Sequence, residues 1–235
     1  MQKKIFLAVD TDDINYGIKI VKPLQDGLAG IKLGLEFFVA NGIKGVMMMK
    51  ENFPSLPLFL DLKFHDIPNT TKQAVKALLA LEPFFLTIHA AGGVAMIEFV
   101  KKTMMAHQAK TKLLAVTMLT SLSDDDLKIL SIKKNTNDYI LSQAMMARDA
   151  GADGVVIPAK ATAMLRNNMG EDFILVCPGI RWNDDGSDDQ KQVMPPKSAI
   201  DAGADYLVMG RGIIGTHLTP SEQLARLAYI NKHTL

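Results

Sequence analysis

The sequence is poor in cysteine, in net charge and in long hydrophobic runs, and each absence excludes a class of protein. Cys177 is the single cysteine, so the chain cannot form an internal disulfide and is not a disulfide-stabilised miniprotein. Twenty-six Lys and Arg against 25 Asp and Glu leave a net charge of +1, which gives no reason to bind nucleic acid or an anionic membrane. No window approaches the roughly 18 apolar residues of a spanning helix.

The start of the chain, MQKKIFLAVD, lacks the apolar stretch of a signal peptide. Together with the single cysteine, this predicts a protein of the reducing cytoplasm with no membrane or nucleic-acid partner. The 235 residues, 48% of them hydrophobic, are enough for one large core. Since α/β barrels commonly use about 200–250 residues in a single domain, we expect one domain over 1–235.

Short apolar runs recur along the whole chain and predict eight strands. Runs of successive apolar residues, rather than alternating ones, are typical of parallel strands buried on both faces. Segments with helical period lie between them, as at 70–81 and 138–150, and the phrase AGAD ends two such segments. The pattern predicts a (β/α)₈ barrel, with an open α/β sheet as the alternative. The predicted strands cover 5–9, 29–33, 58–62, 84–89, 113–118, 154–158, 174–177 and 206–209.

Charged residues end three of the predicted strands. Asp61 and Lys63 are two residues apart, so the period of a strand directs both to the same face. Asp10 ends the first strand and Lys32 lies near the end of the second. Because barrel active sites collect at the carboxyl ends of the strands, we expect these four side chains to converge there. A purely structural salt-bridge network in the barrel is the alternative.

The last third of the chain predicts an anion site. Gly210-Arg211-Gly212 follows the eighth strand, where small residues let backbone N–H groups approach a phosphate and Arg211 can bind it with two hydrogen bonds. Arg181 follows the seventh strand, beside it. A turn glycine next to a solvated arginine is the alternative. The polar stretch 182–191 is expected to be a long loop that closes over a substrate.

Other candidates for chemistry are weaker. His65 and His89 could hold a metal together with Asp61, but Lys63 would place an ammonium in the same small space, so we expect no metal site. Cys177 is expected to be a buried apolar residue rather than a nucleophile. The aspartates at 124–126 predict the start of a helix capped by Ser123.

Taken together, these motifs resemble the family of orotidine 5′-phosphate decarboxylases of the compact bacterial type, over most of the chain. The core D-x-K-x-x-D is shared with related barrel families, whereas the complete set of motifs is specific. That set comprises LAVD (7–10), IKLG (31–34), FLDLKFHDIPNT (59–70), HAAGG (89–93), AVTMLTS (115–121), PGIR (178–181), Asp189-Gln190 and AGADYLVMGR (202–211).

The resemblance implies a homodimeric barrel that converts orotidine monophosphate to UMP and CO₂ without metal or organic cofactor. It implies that Lys63 stabilises and protonates the carbanion at pyrimidine carbon six, with Asp61 beside the departing carboxylate. Lys32 and Asp66 would complete the catalytic set, Asp66 being donated by the partner subunit. The resemblance further assigns substrate binding to Asp10, Lys32, Asp61, Thr70, Thr120, Ser121, Pro178, Arg181, Gln190, Gly210 and Arg211.

Two positions depart from the family pattern, and two other functions remain open. Gly212 stands where the family usually has Pro or Ser, and Gln192 stands where arginine is common. One rival function is a metal-dependent phosphosugar lyase or epimerase that uses Asp61, His65 and His89 on a related barrel. The other is a phosphate- or nucleotide-binding barrel without catalysis, against which the complete Asp61, Lys63 and Asp66 set argues.

Overall fold

Eight parallel strands close into a barrel in the computed structural model, which describes residues 3–182, 194–215 and 218–232. Each strand pairs with the next in sequence, and the first pairs with the eighth, so the predicted (β/α)₈ class is confirmed. The strands are β1 (Ile5–Ala8), β2 (Gly30–Gly34), β3 (Leu58–Phe64), β4 (Phe85–His89), β5 (Lys112–Val116), β6 (Gly154–Val156), β7 (Ile174–Cys177) and β8 (Tyr206–Met209).

The strand ends differ from the prediction by one or two residues. β6 stops at Val156 instead of continuing to Pro158, whose ring nitrogen has no hydrogen to donate to a neighbouring strand. β3 runs two residues further than predicted, to Phe64, because Phe64 still pairs with Ile88 of β4 beyond an irregularity that contains Lys63. The second of these differences lies in the candidate site.

Helices cover the outside of the barrel. They are α1 (Ile14–Val21), α2 (Leu35–Asn52), α3 (Pro68–Leu78), α4 (Gly93–Ala106), α5 (Asp124–Ile129), α6 (Thr136–Asp149), α7 (Thr162–Met169), α8 (Pro196–Asp201), α9 (Arg211–Ile214) and α10 (Pro220–Lys232). Short 3₁₀ turns occupy 25–27, 79–81, 90–92 and 159–161. α2 is kinked at Gly42, which has a φ of 59°. No helix in the described ranges has the length and apolar character needed to cross a bilayer.

The buried face of α3 differs from the prediction. The spacing within 70–81 predicts an apolar face made of Ala74, Ala77, Leu78 and Leu81. The two leucines are buried, but Ala77 is exposed, and the helix buries Thr71 and Val75 beside Leu78. A valine removes more apolar surface from water than an alanine, so its position determines which side of the helix packs inward. The predicted cap of α5 is confirmed: Ser123 and Asp126 form a capping box at its start.

Two layers of apolar side chains make up the core. One lies between strands and helices and includes Leu60 and Leu62 of β3. The other fills the barrel interior, where the rings of Phe6, Phe59 and Phe85 lie with centroids 5.3–5.7 Å apart. These rings stand near the beginnings of their strands. The aromatic layer therefore closes the amino-terminal end of the barrel and leaves the carboxyl end free for polar groups.

The repeated phrase AGAD has a structural role in both places. Gly151 and Gly203 adopt φ values of 96° and 101°, which let each helix end and the chain turn into the next strand. The aspartate that follows reaches back to the preceding strand: Asp153 accepts a hydrogen bond from the Leu113 amide at 2.8 Å. Asp205 does the same for Leu175 at 2.7 Å. The phrase thus ends a helix and links the next strand to its neighbour, and its residues do not line the cavity.

Candidate active site

A cavity of about 570 Å³ opens at the carboxyl ends of the strands. This is the end of an α/β barrel where active sites form. The cavity brings together nine of the residues predicted for the site. They are Asp10, Lys32, Asp61, Lys63, Thr120, Pro178, Arg181, Gly210 and Arg211.

Alternating charges cross the floor of the cavity in one continuous line. The Lys32 ammonium lies 3.1 Å from Oδ1 of Asp10 and 3.5 Å from Oδ2 of Asp61. Lys63 in turn donates a hydrogen bond from Nζ to Oδ2 of Asp61 at 2.7 Å. The strand alternation explains this convergence, because Leu60 and Leu62 point outward to the helices while Asp61 points into the barrel. The predicted meeting of four charges is confirmed.

Burial makes these ion pairs strongly interdependent. Lys32 and Asp61 are each 7% exposed, so neither charge is well solvated. Burial alone lowers the pKa of Lys32, but the carboxylates of Asp61 and Asp10 outweigh it and raise that pKa above its usual value. Burial alone raises the pKa of Asp61, but Lys32, Lys63 and the hydrogen bonds from Lys63 and Thr87 hold it below its usual value. Asp61 is therefore an ionised carboxylate at neutral pH.

Thr87 belongs to this site, although it is not among the residues predicted from the sequence. It is fully buried on β4, and its hydroxyl donates to Oδ1 of Asp61 at 3.1 Å. The same hydroxyl accepts a hydrogen bond from the backbone N–H of Lys63 at 2.9 Å. The available signal was a lone hydroxyl in the apolar run FFLTIH, two residues beyond the inward-facing Phe85. Glu36, at the start of α2, also lines the cavity and was not predicted.

Arginine and glycine line another part of the cavity. Arg181 and Gly179 come from the turn after β7, and Gly210 and Arg211 from the turn after β8. Gly212, the departure from the family pattern, is buried directly behind this turn. Its carbonyl accepts hydrogen bonds from the Trp182 indole at 3.1 Å and from Arg226 at 2.9 Å. Side chains of neighbouring segments thus hold the backbone at Gly212.

Four predicted site residues are not placed in this cavity. Asp66, Thr70 and Ser121 are exposed and do not line it, so Thr120, rather than its neighbour Ser121, is the predicted hydroxyl residue that does. The Asp66 carboxylate accepts a hydrogen bond from the amide of Ile67, at 2.7 Å, outside the cavity. Gln190 lies outside the described residues, as do the rest of the predicted loop at 183–191 and Gln192.

The residues proposed for the rival metal site are arranged differently. His65 and His89 lie with ring centroids 5.4 Å apart, while the Asp61 carboxylate is already engaged by two lysines and Thr87. Burial lowers the pKa of His89, and the neighbouring His65 and Lys63 lower it further, against the opposing effect of Asp61. Within the described ranges, no three His, Cys, Asp or Glu side chains are grouped so that they could hold a metal ion.

Cys177 is a buried residue of β7, as predicted. Burial raises the pKa of its thiol to about 12, with a hydrogen-bonding contact of 3.2 Å to the Thr162 hydroxyl. A thiol with so high a pKa is protonated at neutral pH and is not a nucleophile.

Comparison with known proteins gives matches to one family. The family model described as "Orotidine 5'-phosphate decarboxylase / HUMPS family" matches residues 3–227. The orotidine 5′-phosphate decarboxylase of Rhodospirillum rubrum is 44% identical over 231 residues, which is 96% of this chain and 92% of the relative. A crystal structure of the decarboxylase from Lactobacillus acidophilus has 35% identity and a TM-score of 0.82, covering 99% of both chains.

Proposed function

Since the chain belongs to the orotidine 5′-phosphate decarboxylase / HUMPS family, we infer that it converts orotidine 5′-monophosphate to UMP and CO₂, the last step of pyrimidine nucleotide synthesis. It is a carboxy-lyase. The observation that carries this function is the line of alternating charges from Asp10 to Lys63 in a cavity that also contains Arg181 and Arg211. A nucleotide with a carboxylate on its base fits this cavity, because its phosphate can bind the two arginines and its carboxylate can lie beside the lysines.

Lys63 is the proton donor in the proposed reaction. When the bond from pyrimidine carbon six to the carboxylate breaks, CO₂ leaves and the electron pair stays on carbon six. No π system delocalises that pair, so a fixed ammonium beside it is an effective stabiliser. A proton from Nζ of Lys63 then bonds to carbon six, and solvent restores the proton to the amine. Its contact with Asp61 holds the ammonium in the cavity before substrate arrives.

Asp61 and Lys32 organise the proposed site around Lys63. Asp61 lies against the departing carboxylate, and its own charge is balanced by an ammonium on each side. Lys32 and Asp10 hold the ribose hydroxyls and Thr120 the pyrimidine edge. Arg181, Gly210 and Arg211 bind the phosphate, beside Pro178, and Gln190 is a further substrate-binding residue. These residues need no metal or organic cofactor in the proposed reaction.

Phosphate binding gives a direct prediction at Arg211. We expect Arg211→Ala to lower kcat/KM by about 10–100-fold, because it removes hydrogen bonds between charged groups. We also expect the variant to lose much of its preference for UMP over uridine in a titration. Arg148→Ala is the matched control, since Arg148 lies on the surface beside Asp149. An Arg211→Ala variant that kept the wild-type ratio of UMP to uridine affinity would place the phosphate elsewhere.

The rival metal-dependent function gives the opposite response to a chelator. We expect decarboxylation of orotidine monophosphate to continue at the same rate after treatment with EDTA and removal of metal. The rate of decarboxylation is measured from the change in absorbance of the pyrimidine ring. Loss of the activity with EDTA, and its return with a divalent cation, would contradict the cofactor-free reaction and favour the metal-dependent alternative.

The proposal also includes a homodimer in the cytoplasm, with Asp66 donated to the partner's site. Asp66 and Thr70 lie on the surface and do not line the cavity of the chain that carries them. Ile67, which lies between them, is apolar and yet 66% exposed. On both sides of its kink at Gly42, α2 exposes further apolar side chains to solvent: Leu35, Val39, Ile43 and Met47. Exposed apolar groups of this kind support a contact between two copies. The single, buried Cys177 supports the reducing compartment.

A further inference from the structure

The pairing of β3 with β4 is irregular at the catalytic lysine. Leu60 pairs with Leu86, and the next pair is Phe64 with Ile88. Three residues of β3, 61–63, therefore lie opposite the single residue Thr87. A bulge of this kind interrupts the ladder of backbone hydrogen bonds and changes the direction of the side chains in it.

Lys63 has an unusual backbone within this bulge. Its φ is 49°, in the left-handed region that non-glycine residues rarely adopt. Glu82, Gln108 and Ser131 share this conformation, but they follow helical turns, where it is common. Lys63 lies inside a strand, so no helix end accounts for it. Contacts around Lys63 must hold the backbone in this conformation.

The Thr87 hydroxyl provides two of those contacts at once. It accepts the Lys63 amide N–H at 2.9 Å, which replaces the hydrogen bond that the bulge interrupts. It also donates to Oδ1 of Asp61 at 3.1 Å, while Lys63 donates to Oδ2 of the same carboxylate. One buried hydroxyl thus connects the backbone of the lysine to the carboxylate that its ammonium contacts.

We propose that Thr87 is a positioning residue of the decarboxylase, whose hydroxyl fixes the Lys63 backbone and the Asp61 carboxylate in one arrangement. The inference rests on the proposed function. Without the hydroxyl, the Lys63 amide and one carboxylate oxygen lose their shared partner, and the ammonium is no longer held against the reacting carbon. Thr87 is fully buried and does not line the cavity. We therefore expect its replacement to have little effect on substrate binding.

Two substitutions separate the hydroxyl from the shape of the side chain. Thr87→Val keeps the volume and removes the hydroxyl, whereas Thr87→Ser keeps the hydroxyl and removes the methyl group. We expect Thr87→Val to lower kcat about 10–100-fold with a KM for orotidine monophosphate within about threefold of wild type, because a hydrogen bond to a charged group is lost. We expect Thr87→Ser to keep kcat within about threefold. Thr162→Val is the matched control, since that fully buried hydroxyl forms its hydrogen bonds with Ala159 and Cys177, away from Lys63 and Asp61.

Hydrogen exchange at the Lys63 amide tests the same contact without substrate. We expect exchange to be faster in Thr87→Val than in wild type and unchanged in Thr87→Ser and Thr162→Val. Wild-type kcat in Thr87→Val, or an equal loss of kcat in Thr87→Ser, would overturn the positioning role. If wild type fails to decarboxylate orotidine monophosphate, the proposed function is wrong, and the exchange result then decides alone whether Thr87 holds Lys63.

Discussion

Replacing Lys63 by alanine is expected to lower kcat by at least about 10⁴-fold, the combined size of general-acid and electrostatic effects at one group. The reason is that the substitution removes both the proton and the positive charge next to carbon six. UMP should still bind, because Arg181 and Arg211 lie on other strand ends and keep their positions. The measurement is turnover of orotidine monophosphate by absorbance, together with titration of UMP.

The control for this experiment is Lys197→Ala, which removes an exposed lysine paired with Asp201 on α8. It should turn over at the wild-type rate. Lys63→Ala leaves Asp61 with Lys32 and Thr87, so its free energy of unfolding in urea should be measured alongside to confirm that the variant is folded. A folded Lys63→Ala protein with wild-type turnover would remove Lys63 from the mechanism.

The second large effect is a gain of activity on mixing two inactive proteins. Asp66→Ala and Lys63→Ala should each be inactive as homodimers. If Asp66 acts in the partner's site, a mixed dimer has one site that lacks both groups and one complete site. With equal amounts and random exchange of subunits, half of the dimers are mixed, so we expect roughly a quarter of the wild-type activity per subunit.

Subunit exchange must be demonstrated separately in that experiment. Two different affinity tags allow the mixed dimer to be isolated and assayed, and two copies of Lys63→Ala with different tags serve as the matched control. An isolated mixed dimer without activity would mean that Asp66 does not act across the interface. Its exposed position outside the cavity would then need another explanation.

Much of the barrel and of its charged site could be predicted from sequence because the signals are local. Apolar runs mark the strands, and the two-residue period of β3 separates outward Leu60 and Leu62 from inward Asp61. The general rule that barrel sites form at the carboxyl ends of strands then brings Asp10 and Lys32 to the same place.

The features that the sequence did not predict depend on contacts between segments that are distant in sequence. The role of Thr87 depends on the bulge between β3 and β4, and a single strand carries no sign of the register of its neighbour. The predicted face of α3 is wrong at Ala77, which is exposed, because the larger side chain of Val75 packs inward instead. In both cases packing decides between alternatives that a local pattern leaves equal.

The most direct test of the central claim is the fate of carbon six in the wild-type reaction. Orotidine monophosphate is incubated with EDTA-treated protein in metal-free D₂O, and the products are followed by NMR and by CO₂ release. We expect UMP and CO₂ in equal amounts, with deuterium at carbon six of UMP, since the exchangeable ammonium of Lys63 delivers it. Unchanged orotidine monophosphate, or UMP formed only after a divalent cation is added, would contradict the proposed reaction.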